Sequence, residues 1–565
     1  MITNPDRPAS VQDDPTLNRA ATVRERPTHR SPAVRFPILL LCLALTASAQ
    51  ITSERLVKAA DDEPGNWITN NGSYDSGHFR KLKQINRGNV DKLKLQWVFQ
   101  AQSLEKFEST PLVIDGVMYV VQMPNDVVAI DVRTGAKFWT YTHQYDKVNV
   151  CCGRVNRGLA IHGETLYMGT IDGKLVALDS QTGARKWSKQ LVDAEGGYSL
   201  TVAPLVVNDM LILGSAGGEY GIRGFIAAYS PKDGSEIWRF HTIPGPGEAG
   251  HETWENDAWK RGGGSIWVTG SYDPELNLTY WGVGNPAPDW NGDVRPGDNL
   301  YTDSVVALDA DTGKLRWHYQ FTPHDLWDWD AVQVPVLVDR EWKGEQRKLM
   351  MWGNRNGFYY VLDRVTGELL LAEAFVKVTW AEGIGDDGRP IRIPSAEPTR
   401  NGARVWPSVQ GGTNWYAPSY NPKTGLFYVS SWEFSSVYHK GDATYARGNR
   451  YVGSLPRGVW PDPTKDEDPG YGAVRALDPE TGQKEWEFRM TGITESGLLS
   501  TDGDVLFSGS KEGHFFALDP FNGNMLWRVN LGGRIANKPI TYMAGGKQYV
   551  SITAGNSLFT FALGE

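Results

Sequence analysis

One phrase recurs along the chain and limits what it can fold into. An apolar run leads to Ala-Leu-Asp or a close variant, then a Gly-containing turn, then a tryptophan four residues after the glycine. It appears as AIDVRTGAKFW (ending at Trp139), ALDSQTGARKW (Trp187), AYSPKDGSEIW (Trp238), ALDADTGKLRW (Trp317), ALDPETGQKEW (Trp486) and ALDPFNGNMLW (Trp527). A degraded copy, VLDRVTGELLL, carries Leu371 in place of Trp, and LKLQW, ending at Trp97, reads as the end of a partial copy. Each copy predicts strand, tight turn, strand, with the glycine supplying a positive φ at the turn. Repeats of roughly 40–50 residues built from several short strands are the signature of propeller blades. Six clear copies and two degraded ones predict an all-β fold: an eight-bladed β-propeller with tryptophan-docking repeats, the indoles packed between blades. The long gap from Leu371 to Trp486 leaves room for a further, diverged blade around YNPKTGLFYVSSW. No stretch carries helical periodicity over three turns, and GNVDKLKLQW is the best short candidate. The segment GNSLFTFALGE reads as a strand that helps close the ring.

A chain of 565 residues ordinarily divides into several domains. A ring of blades removes that expectation and explains the 62 glycines and 22 tryptophans as turns and docking groups. The net charge of −9 disfavours a nucleic-acid partner, because an acidic surface repels phosphates.

The first 49 residues stand apart. A polar leader reaches Arg35, followed by the apolar run Ile38–Leu45 and then Thr46-Ala47-Ser48-Ala49. A positive flank, a short apolar core and an A-x-A end predict a secretory signal peptide cleaved near Ala49. The run is far short of the ~20 residues a spanning helix needs. Residues 50–565 are then one propeller domain without a membrane span. Cleavage removes six arginines and four acidic residues, leaving a net charge of −11. It also removes Cys42, so the exported chain keeps only the adjacent pair Cys151 and Cys152. Two readings of that pair stand at this point: reduced, buried thiols, or a bond between neighbours favoured by an oxidising compartment.

Oxygen-bearing side chains supply a second set of candidates. Glu219 lies in GSAGGEYGIRG, Asn285 in the proline-bounded GVGNPAPDWNG, and Asp328 and Asp330 in TPHDLWDWDAVQVPV. If residues 327–330 are extended, the two aspartates share a face. Carboxylates so placed repel unless a cation or protons intervene, and Glu, Asn and Asp oxygens suit a hard ion. A solvated turn around Glu219 and a plain acidic loop are the alternatives.

Taken in order, CCGRVNRG, the GGE segment, GGGSIW, NPAPDWN and HDLWDWD resemble the pyrroloquinoline quinone (PQQ)-dependent alcohol dehydrogenases of the methanol and ethanol dehydrogenase type. The resemblance covers roughly residues 60–565 and implies the same eight-bladed fold. It implies that Cys151 and Cys152 form a disulfide ring against one face of PQQ, with Trp267 stacked on the other. Arg157 would pair with a cofactor carboxylate. Glu108, Thr201, Ser265 and Asn414 match cofactor-contacting positions, and Ala216 and Gly217 replace a Ser-Gly pair, which removes one side-chain contact. Glu219, Asn285 and Asp328 match the metal site, with Asp328 also the base that takes the alcohol proton. Arg355, in GNRNGF, matches an arginine directed at the quinone oxygens and the base, where its charge would hold Asp328 ionised. Asp330 stands where calcium-dependent members have a small uncharged residue and lanthanide-dependent members an aspartate. A lanthanide ion is therefore expected, with Ca2+ as the alternative.

The resemblance further implies oxidation of a small alcohol in the periplasm. The chain lacks the C-x-x-C-H of covalent haem, so a separate cytochrome c is the expected electron acceptor. It also lacks the G-x-G-x-x-G dinucleotide fingerprint between strand and helix. A sugar-oxidising quinoprotein and a non-enzymatic envelope scaffold built on the same repeat are the competing readings, and a homodimer is left open.

Overall fold

Each repeat folds as the outer hairpin of a four-stranded antiparallel sheet. The Asp of the repeat closes the turn: Asp131 Oδ1 accepts from the backbone N–H groups of Arg133 and Thr134, and Asp179 Oδ1 from those of Gln181 and Thr182. The turn glycine adopts a positive φ, +72° at Gly135, and that position could not carry a side chain. A Cβ there would lie 2.8 Å from the Trp97 ring of the neighbouring blade. The docked indole also donates a hydrogen bond to the residue after the repeat's Asp. Trp97 donates to the Val132 carbonyl (3.0 Å), Trp238 to Ala310 (3.1 Å), Trp317 to Arg364 (3.1 Å) and Trp486 to Pro520 (3.0 Å). Turn, glycine and tryptophan are thus one device, repeated from blade to blade.

The structure is a computed structural model and describes residues 50–146, 148–454 and 470–564. The expected leader and signal peptide, 1–49, lie outside the described residues. Seven four-stranded sheets and one five-stranded sheet, in which Phe79–Arg80 adds a parallel strand beside Leu499–Thr501, make eight blades. The first, Leu112–Ile114, Val117–Gln122, Asp126–Asp131 and Lys137–Tyr141, shows the common order, each strand paired antiparallel with the next. The eighth blade is composite. Ile540–Ala544, Lys547–Ala554 and Ser557–Leu563 are completed by Leu93–Gln100, with Leu93 opposite Leu563 and Gln100 opposite Ser557. The strand expected from GNSLFTFALGE therefore closes the ring, and Trp97 is that blade's docking residue.

Three local expectations are corrected. YNPKTGLFYVSSW is not an extra blade: it is the first hairpin, Ser419–Asn421 and Leu426–Glu433, of the blade that ends on Trp486. GNVDKLKLQW is not a helix beyond the short 3-10 turn Val90–Lys92, because its remaining residues are drawn into the closing strand. A helix does form at Ser53–Asp62, capped by Thr52, whose hydroxyl accepts from Arg55 N–H. It buries only Leu56 and Ala59, too few contacts to imprint a period. No helix among the described residues is long and apolar enough to cross a membrane.

A strap between that helix and the closing strand lies across the inner strands of the blades. Trp67 pairs with Val113, and backbone carbonyls of Tyr74, Asp75, Gly77 and His78 accept from Tyr272, Leu337, Tyr420 and Ser500. Trp67 is fully buried, and the guanidinium of buried Arg80 lies 4.6 Å over its ring.

Antiparallel order then decides where a site can form. The links from one blade to the next and the turns between second and third strands lie at one end of the ring. The Thr-Gly docking turns lie at the other. Docking and chemistry are separated by topology.

Candidate active site

All the expected site residues lie on loops at the first of those ends. Glu108, the 151–157 segment, Thr201, the 265–267 segment, the 328–330 segment and Asn414 are on links between blades. Ala216 to Glu219, Asn285 and Arg355 are on turns between second and third strands. These loops converge on a cavity of about 1560 Å³. Glu108, Cys151, Cys152, Arg157, Thr201, Ala216, Gly217, Glu219, Ser265, Trp267, Asp328, Asp330, Arg355 and Asn414 line it. Asn285 does not; it is buried behind the wall, its N–H donating to Asp330 Oδ1 (3.0 Å).

Small residues let the walls meet. Gly217 has φ +117°, and a Cβ on Gly218 would lie 3.3 Å from Ser265 Oγ and 3.6 Å from Asn285 Oδ1. The GGE sequence thus brings Glu219 beside the neighbouring loop, and the solvated-turn reading falls. Cys151 and Cys152 are joined by a disulfide, which closes the choice left open above. Cys152 Sγ lies 3.8 Å from Glu219 Oε1.

Further along the same link, Arg157 is clamped. Its Nη2 donates to Glu108 Oε2 (2.9 Å), its Nη1 to Thr201 Oγ1 (3.3 Å), and its guanidinium carbon lies 4.5 Å over Trp267. Its buried Nε has no partner among the described residues. Asn414 is held by its own loop, donating to the Gln410 carbonyl and accepting from Trp415 N–H.

Residues 327–330 are not extended, which corrects the reading from spacing. Asp328 has φ +62°, and the loop wraps around the carboxylate of Asp325, which accepts from the N–H groups of Trp327, Asp328 and Trp329. The expected alternation survives in the side chains. Trp327 and Trp329 stack at 4.8 Å in the core, while Asp328 and Asp330 both face Arg355. Arg355 Nη1 donates to Asp330 Oδ2 at 2.5 Å, whereas its Nη2 lies 3.7 Å from Asp328 Oδ2. Arg355 Nε is buried with no hydrogen-bond partner among the described residues.

The carboxylates crowd one another. Burial, reinforced by Asp289, Asp330 and Glu219, pushes Asp328 well above the usual carboxylate range, and Arg355 only opposes this. The expectation that Arg355 holds Asp328 ionised is therefore corrected: burial and the neighbouring carboxylates outweigh it, and its short contact is to Asp330. Glu219 is also raised, by burial first, and Asp289 strongly so, by burial and then Glu219. Protons or a cation must compensate this cluster. A hard cation fits its oxygen donors, and a flat polyanion fits the orphaned Arg157 Nε beside the Trp267 ring.

Two further residues matter that spacing did not reveal. Asp289 lines the cavity and is 1% exposed. Arg295, fully buried, donates to the carbonyls of Pro288 (3.1 Å), Asp289 (3.4 Å) and Asp325 (2.5 Å). It ties the Asn285 loop to the Asp328 loop. The motif NPAPDWN displayed Asp289 in plain view, but only the folded loop turns it inward.

A family model described as glucose/ethanol/alcohol dehydrogenase, beta-propeller domain, matches residues 67–377, more than half of the chain. The chain belongs to the PQQ-dependent alcohol dehydrogenases. Among relatives of this PQQ-dependent alcohol dehydrogenase, quinohemoprotein alcohol dehydrogenase ADH IIB of Pseudomonas putida is 39% identical, over 92% of this chain and 78% of that protein. The lanthanide-dependent methanol dehydrogenase of Methylacidiphilum fumariolicum is 37% identical, over 90% and 89%. A solved europium-containing methanol dehydrogenase superposes with a TM-score of 0.83 at 34% identity, covering 90% of this chain and all of that one. A second family model, outer membrane protein assembly factor BamB, matches only residues 470–562, a stretch of the PQQ-dependent alcohol dehydrogenase without Cys151, Glu219, Asp328 or Arg355.

Proposed function

We propose that this alcohol dehydrogenase oxidises small primary alcohols to aldehydes in the periplasm, with a lanthanide ion beside PQQ and a cytochrome c as electron acceptor. The observation that carries the proposal is the pair Asp328 and Asp330 facing one guanidinium, Arg355, at the wall of the cavity. Bound PQQ supplies a two-electron acceptor for the hydride that leaves the alcohol carbon. Arg157, Glu108, Thr201 and Trp267 would hold it, with the Cys151–Cys152 ring and the Ser265, Ala216, Gly217 and Asn414 positions completing its seat. Asp328 would take the hydroxyl proton as that carbon loses its hydride. Glu219, Asn285, Asp328 and Asp330 would hold the metal, whose charge keeps Asp328 deprotonated despite its burial. Arg355 orients Asp330 through its short contact.

A trivalent ion gains more than a divalent one from the extra anion at Asp330. The names of two relatives, one lanthanide-dependent and one europium-containing, agree with that reading. Export rests on the apolar run before Ala49, and the disulfide suits an oxidising compartment.

The test is reconstitution of metal-free protein with PQQ plus lanthanum or calcium, followed by dye reduction over a panel of alcohols and sugars. Alcohol turnover with lanthanum is the expected result. Turnover with calcium alone would remove the lanthanide assignment, and preference for sugars would remove the substrate assignment.

A further inference from the structure

The four residues assigned to the metal leave an acidic neighbour on the cavity wall, Asp289, without a role. Asp289 is 1% exposed and lines the same cavity as Glu219, Asp328 and Asp330. Its Oδ1 is buried and has no hydrogen-bond partner among the described residues. An ionised carboxylate in that position is costly unless a cation meets it.

The loop cannot relieve the cost by moving outward. Arg295 holds the Pro288 and Asp289 carbonyls, one on each side of the Asp289 Cα, and the next residue, Trp290, donates its N–H to the Val452 carbonyl at 3.0 Å. The same Arg295 reaches the Asp325 carbonyl, so Asp289 is fixed relative to the loop that carries Asp328 and Asp330. Charge points the same way. With a cation bound and their carboxyls ionised, Glu219, Asp328 and Asp330 would supply three negative charges, and Arg355 offsets one. Asp289 adds a fourth carboxylate, and a more negative wall favours a trivalent ion over a divalent one. Arg450 also borders the cavity, exposed and 4.0 Å from Cys151 Sγ, and its charge partly offsets those of Glu219 and Asp289.

We propose that Asp289 is a further carboxylate of the metal centre, and that it biases the site toward a trivalent over a divalent ion. The bias rests on the lanthanide reading above; the ligand role does not. Ligand charge and rigidity are what set affinity in oxygen-donor sites.

The experiment uses PQQ-loaded protein stripped of metal and titrated calorimetrically with Eu3+ and with Ca2+. Europium luminescence lifetimes in H2O and D2O give the number of coordinated waters. Asp289→Asn is expected to weaken Eu3+ about 100-fold and Ca2+ less than about 10-fold, and to admit about one more water. Unchanged Eu3+ affinity and lifetime would overturn the proposal. If the wild type binds Ca2+ more tightly than Eu3+, the lanthanide reading fails by itself. Asp289 is then judged on Ca2+: weaker binding in Asp289→Asn supports the ligand role, and unchanged binding removes it. Should Asp289→Asn not fold, Asp289→Glu decides, because it keeps the charge and displaces the oxygens by one methylene. A ligating oxygen must then shift the europium lifetime, and an unshifted lifetime counts against the proposal.

Discussion

Single residues fix the chemistry, and they differ in how far sequence exposes them. Asp328 is marked by the HDLWDWD segment, and the fold places it against Arg355 in the cavity. Asp328→Asn is expected to lower kcat by about 10²–10⁴ while PQQ absorbance is retained, since it removes the proton acceptor but not the cofactor seat. Loss of the bound chromophore together with activity would mean that Asp328 mainly holds the site together. Lys538 illustrates the reverse case, because nothing in its local sequence marks it. It lies behind Arg157, donating to Asn71 Oδ1 (2.7 Å) and Asn70 Oδ1 (3.3 Å), and Asn70 in turn donates to the Arg157 carbonyl. Burial pushes Lys538 down to about 7 from its ordinary 10.5. Between those values the unfolded chain holds a proton that the folded chain lacks, so this group makes stability rise with pH across that window and leaves it flat below. Urea unfolding should show the wild type gaining about 2–3 kcal/mol over Lys538→Met from pH 7 to pH 9. A parallel pH dependence in the two proteins would mean that Lys538 stays charged in the fold.

At the scale of elements, the repeat made the blades legible because one phrase encodes both a turn and a contact. The match is close: six clear copies and two degraded ones became eight blades, and even Leu371 occupies the docking position, next to the turn glycine Gly482. Elements outside the repeat were not legible. Ser53–Asp62 is too short and too exposed to show a period, and the strap that follows is held by backbone hydrogen bonds that any sequence can make. The Asp328 loop is intermediate, since its side-chain alternation could be read but its turn about Asp325 could not. The docking turn itself can be tested by a matched pair. Gly135 (φ +72°) has the Trp97 ring at its back, whereas Gly116 (φ +90°), in the same blade, has open space. Gly116→Ala should cost about 1 kcal/mol from backbone strain alone, and Gly135→Ala about 1–3 kcal/mol more from overpacking. Equal losses in chemical unfolding would show that the indole shifts aside freely.

For the whole molecule, the ring makes neighbouring blades mutually dependent, because each outer tryptophan finishes the packing of the next blade's turn. Trp97→Ala removes the indole at the seam, a loss of about 3–5 kcal/mol. Calorimetry should show the variant unfolding earlier but in one transition. A separate early transition would mean that the eighth blade opens alone.

The composite eighth blade also imposes an order of events in time. Leu93–Gln100 precedes all the blade strands it closes upon, whereas its partner Ser557–Leu563 follows every other described strand. Until then the early strand has an unpaired edge, and strand edges of that kind recruit other chains. Seven blades can stack as they emerge, but the ring locks only after residues 557–563 have been made. A nascent chain stalled before residue 557 should therefore be the form most prone to aggregate and most in need of a chaperone.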